Sequence, residues 1–81
     1  MPPHSELPGE LKRKKFTKAL RRLGFSIDER GGDNSHYKAT WPPTQKSITI
    51  PYKLPKEVLS YVLKEIERYS GMTWDDIRRE L

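Results

Sequence analysis

GGDNSHYKATW, residues 31–41, decides the fold. Its first part, Gly31-Gly32-Asp33-Asn34, consists of residues that tolerate positive φ and so turn a chain back on itself. In its second part Tyr37, Ala39 and Trp41 alternate with His36, Lys38 and Thr40, and a period of two sends the two sets to opposite faces of a strand. A strand that is apolar on one side and polar on the other belongs to an antiparallel sheet with a single covered face. His36, the only histidine outside the first few residues, falls on the polar side with Lys38.

The flanks extend the same pattern. FSIDER, residues 25–30, places Phe25 and Ile27 on one side of a preceding strand, so that the glycine-rich turn closes a hairpin. Trp41-Pro42-Pro43-Thr44-Gln45 turns the chain again. KSITIPY, residues 46–52, is a third strand with Ile48 and Ile50 inward and Ser47 and Thr49 outward, ended by Pro51, which has no N–H for a ladder. The uncovered face of this sheet is expected to show His36, Lys38, Thr40, Ser47 and Thr49.

Around the sheet the period changes to that of a helix. From about Glu10 to Leu23, Phe16, Ala19, Leu20 and Leu23 recur at helical spacing, with basic residues filling most of the other positions and Gly24 as the left-handed stop. A second helix follows Leu54, with Pro55 at its first position, an apolar stripe of Val58, Leu59, Val62, Leu63 and Ile66, and an end near Ser70-Gly71. In MTWDDIRREL, residues 72–81, Thr73 is an N-cap, Asp75 and Asp76 occupy the positive first turn, and Met72 is placed to staple onto Ile77. Trp74, Ile77 and Leu81 share the side of this short third helix that docks on the core. The expected class is α+β: a three-stranded antiparallel sheet, both main helices on one face, and a short C-terminal helix. Residues 1–9, with three prolines, read as a loose leader and residues 10–81 as one domain.

Composition narrows the chemistry. An 81-residue chain buries only about 60% of its unfolded surface, which leaves little room for an enclosed pocket. The absence of cysteine excludes disulfides, thiolate metal sites and a cysteine nucleophile. No apolar run approaches the roughly 20 residues that span a bilayer, and no apolar signal core is present, so the chain reads as soluble and cytoplasmic. The net charge of +5 is concentrated: residues 1–24 hold seven Lys and Arg against two acids, residues 25–71 seven against six, and residues 72–81 two against three. A basic surface gathered on one helix suits a polyanion, above all nucleic acid, although the same charges also serve as a plain solvated face. Asp28, Glu29 and Asp33 lie near His36 in sequence, but acids flanking a turn do not by themselves converge as metal ligands, and no metal is expected. No phosphate loop, Ser-His-Asp order or dinucleotide fingerprint is present, and no cofactor is expected.

An exposed histidine beside a lysine has the right constituents for acid/base work on a phosphate: imidazole titrates near neutrality and a cation stabilises the charge. Lys38 is equally well explained as a solvated charge. Tyr37 and Trp41 could stack bases, but inward alternation makes them core residues.

In the order of these motifs the chain resembles the HicA toxins, messenger-RNA interferases with an αβββα double-stranded-RNA-binding-like fold that are usually paired with a HicB antitoxin. The resemblance runs from Lys14 to the C-terminus. Leu23-Gly24-Phe25 is similar to the Leu-Gly-aromatic end of that family's first helix, and Asn34-Ser35-His36 stands where its Gly-Ser-(Asn/His)-His motif opens the second strand. Ile48-Thr49-Ile50-Pro51 matches a Val-Thr-Val-Pro strand ending, and Leu63-Lys64 with Ser70-Gly71-Met72-Thr73 the terminal pattern. Three features depart: the glycine directly before the histidine motif is missing, Tyr52-Lys53 replaces an Arg-His pair, and Pro55-Lys56-Glu57 replaces Gly-Thr-Leu.

The resemblance implies a metal-independent endoribonuclease with His36 as the acid/base, RNA as substrate and a HicB-like antitoxin as protein partner. Candidate RNA contacts are Lys12, Lys14, Lys15, Lys18 and Arg22 on the first helix, with Lys38 and Lys53. Two alternatives stay open: a non-catalytic module for double-stranded RNA or DNA using the same face, and a protein-interaction domain whose basic surface meets an acidic partner.

Overall fold

The computed structural model describes residues 7–9, 11–29 and 36–81. Its elements run α1 (Arg13–Arg22), β1 (Ser26–Asp28), β2 (Tyr37–Trp41), β3 (Lys46–Ile50), α2 (Lys56–Ser70) and α3 (Trp74–Glu80), the expected order. The sheet is antiparallel with β2 in the middle. Ile27 pairs with Ala39, which pairs with Ile48, and Tyr37 pairs with Ile50. This register lines the inward residues of all three strands on one side, against Phe16, Ala19 and Leu20 of α1 and Leu59, Val62, Leu63 and Ile66 of α2. The glycine-rich turn at residues 31–34 lies outside the described residues.

Several boundaries differ from those expected from the sequence. Helix α1 begins at Arg13, because Lys12 is already extended (φ −71°, ψ 131°). It stops where expected: Gly24 has φ +107°, and the Phe25 N–H turns back to donate to the Leu20 carbonyl at 3.0 Å. Pro55 stands one position outside α2 as its N-cap, with its carbonyl accepting from Leu59 N at 2.8 Å. Of the expected leader, residues 1–6 lie outside the described residues, while Leu7 is buried with the core. Leu81 is 36% exposed and does not dock with Trp74 and Ile77, since the helix has ended at Glu80.

Helix α3 is the best-capped element. The Thr73 hydroxyl accepts from Asp76 N, and the Asp76 carboxylate accepts from Thr73 N at 2.9 Å. Trp74 and Ile77 are thereby held in the core, and α3 lies against α1. Thr73→Ala is expected to cost about 1 kcal/mol of stability in urea unfolding, the typical loss for an N-cap. The bonds from the Thr73 backbone and hydroxyl hold the Asp76 carboxyl below its ordinary value of 3.8. With the folded value depressed, this group adds stability above the ordinary value, and the gain is lost as pH falls through the folded one. The stability gap between wild type and Asp76→Ala therefore closes when urea midpoints are compared from neutrality to well below pH 3.8.

Candidate functional site

The face of the sheet turned away from the helices carries the polar side of every strand. In the register, Lys38 lies between Asp28 of β1 and Thr49 of β3, and Thr40 between Ser26 and Ser47. The Thr40 and Ser47 hydroxyls hydrogen-bond at 2.9 Å. His36 is exposed, one residue before β2. At about 3.3 Å of rise per residue, His36 and Lys38 are some 7 Å apart along the chain, a span that one phosphate can bridge between two long side chains. That Asp28 stands beside Lys38 is not visible in the sequence, because the register that joins them is a property of the folded hairpin. Its negative charge shares the environment of Lys38.

The remaining candidates form two overlapping groups. Lys14, Lys15 and Lys18 are exposed on α1. Arg22 is committed to structure as well: its Nη1 donates to the Glu80 carbonyl at 2.9 Å, tying the end of α1 to the end of α3. Its neighbour Arg21 is ion-paired with Glu29. Lys12, Lys14 and Lys53 come together around a cavity at the start of α1, together with Arg13, Tyr37 and Tyr52. Tyr37, which lines the cavity, directly follows His36 in the chain.

Arg13 and Tyr52 are the members of this region that sequence reasoning misses. The Arg13 guanidinium lies 3.7 Å from the centroid of the Tyr37 ring and 4.9 Å from that of Tyr52. A signal exists: Arg13 is three residues before Phe16 and seven before Leu20, so helical spacing puts it on the apolar side of α1 rather than among the solvated lysines. Tyr37 and Trp41 are half-buried and pack against the core, Trp41 on Phe25 with ring centroids 4.8 Å apart, in keeping with the inward alternation.

Residues 13–72, from the first residue of α1 into the α2–α3 link, match the family model of the HicA toxins of bacterial toxin–antitoxin systems. The chain belongs to the HicA toxin family. Its role is therefore that of a toxin whose partner is a cognate antitoxin. Comparison with curated proteins and with solved structures returns no match. Helix α3 lies beyond the matched HicA segment, yet contributes Trp74 and Ile77 to the core. Among the described residues no group of three or more His, Cys, Asp or Glu could hold a metal ion, and no helix is long and apolar enough to cross a membrane.

Proposed function

We propose that this HicA-family toxin is a metal-independent endoribonuclease acting on messenger RNA in the cytoplasm, with His36 as its acid/base and a HicB-like protein as its antitoxin. The observation that carries the reading is an exposed histidine immediately before the central strand, within the segment matched to the family; the alternation of the strand supports its facing the uncovered side. In the reaction His36 takes the proton of a ribose 2′-hydroxyl as its oxygen attacks the adjacent phosphorus. The bond to the 5′-oxygen breaks, that oxygen receives a proton, and the products are a 2′,3′-cyclic phosphate and a 5′-hydroxyl end. Lys38 stabilises charge on the phosphate, and Lys12, Lys14, Lys15, Lys18, Arg22 and Lys53 hold the strand.

The test is incubation of purified toxin with RNA in excess EDTA. Cleavage by the wild type, with binding kept and cleavage lost in His36→Ala, supports the reading. Binding without cleavage under all conditions leaves the non-catalytic RNA-binding module in its place. The basic face makes a separate prediction. Replacing Lys14, Lys15 and Lys18 by glutamine is expected to weaken binding of all RNA sequences similarly and to flatten the slope of log affinity against log salt by about 0.7 for each single-strand phosphate that is no longer neutralised. Fluorescence anisotropy at several salt concentrations measures it, and an unchanged slope would remove α1 from the interface.

A further inference from the structure

The cavity at the start of α1 has a volume of about 660 Å³, within the range of sites that hold small ligands. Its walls bring Lys12, Arg13 and Lys14 from the start of α1 against Tyr52 and Lys53 from the segment after β3, with Tyr37 of β2 between them. No acid stands among its described lining residues. Arg13 Nη1 is buried and has no hydrogen-bond partner. The two tyrosine rings offset the charge of the guanidinium, but they leave this N–H donor unused. The start of α1 points the same way: its first turn holds no acidic residue and no side chain caps it, so its leading backbone N–H groups remain donors at the positive end of the helix. Four cationic side chains and a helix terminus around one space repel each other, and an anion with several acceptor oxygens would relieve that. Tyr52, 61% exposed, adds an aromatic surface at the rim on which a base can stack.

We propose that this cavity binds the phosphate group of a nucleotide, held by Lys12, Arg13 and Lys53, with the attached base against Tyr52. Tyr37 and His36 are consecutive and alternate to opposite sides of the strand, so in an RNA strand the bound phosphate is a different one from the phosphate at His36. That source in an RNA strand rests on the ribonuclease reading; a free nucleotide has the same phosphate chemistry.

The experiment is a ¹H–¹⁵N NMR titration of the full chain with inorganic phosphate, adenosine 5′-monophosphate and adenosine. The phosphate-bearing probes are expected to give saturable shifts at residues 12–14 and 52–53, with adenosine giving none at equal concentration. The Lys12→Gln/Lys53→Gln double variant, with an unchanged circular dichroism spectrum and Tm, is expected to bind adenosine 5′-monophosphate at least tenfold more weakly. Tyr52→Ala should weaken binding of the nucleotide severalfold and of inorganic phosphate hardly at all. Shifts that appear equally at Lys15 and Lys18, or none at all, overturn the site. The double variant also separates the two proposals. If the site saturates with phosphate while RNA is never cleaved, the ribonuclease reading fails and the phosphate site stands. If RNA is cleaved with an unchanged KM in the double variant and no phosphate binds, the site fails alone.

Discussion

His36→Ala is expected to reduce the rate of RNA cleavage by a factor on the order of 10² to 10⁴, the range that a positioned general acid or base contributes. The loss should fall on kcat. His36 is an exposed side chain one residue before β2, so its truncation removes a proton-transfer group and leaves the basic face of α1 and the core in place. RNA affinity measured with a non-cleavable 2′-O-methyl strand should therefore stay within about twofold of wild type, since a single exposed substitution changes little else. Lys38→Gln separates the two members of the pair: a lysine acting on the phosphate lowers cleavage and also the salt dependence, whereas a solvated lysine shielded by Asp28 changes neither. An alanine variant that cleaves as fast as wild type would remove His36 from the chemistry whatever the family's other members do.

The alternation in residues 35–41 is enough to foresee which side of β2 is covered, because a period of two has only two solutions and Ala39 with two aromatics selects one. The same holds for the stripe of α2 and the cap of α3, where the deciding interactions are local: Thr73 and Asp76 are three residues apart and need nothing else in the fold. The cavity around Arg13 is not legible in this way. It is assembled from three segments far apart in sequence, residues 11–14, 37 and 52–55, and its central contact is an arginine lying over aromatic rings, which composition counts as one more positive charge. Lys53 reads as an RNA contact, yet nothing in its own neighbourhood shows that it faces Lys12. Leu7 escapes for a related reason: prolines around it signal irregular backbone, and irregular backbone can still deliver a leucine to the core. The aim of His36 belongs to the same class, since the turn before it determines its direction and that turn lies outside the described residues.

Phe16→Ala is expected to be the most damaging single change to stability. Phe16 is fully buried in α1, where it joins the core shared by the sheet and α2. Emptying such a site costs about 3–5 kcal/mol, combining lost transfer energy with a residual cavity. At roughly 0.05–0.15 kcal/mol per residue a domain of this size holds only some 4–12 kcal/mol in all, so the variant sacrifices a large part of its stability. For a domain of this length each kcal/mol shifts Tm by about 4–8 °C. The thermal midpoint should thus drop by more than about 10 °C, or the cooperative transition should vanish. Tyr61→Ala, on the exposed side of α2 at 65% exposure, is the matched control and should stay within about 0.5 kcal/mol. The effect reaches function through α1 itself. Phe16 holds down the helix that presents Lys14, Lys15 and Lys18 and carries Arg13 to Tyr37, so RNA binding should decline with temperature in parallel with loss of the folded fraction. Binding that survives unfolding of Phe16→Ala would mean that the lysines act as a charged tail and that the helix is not needed to arrange them.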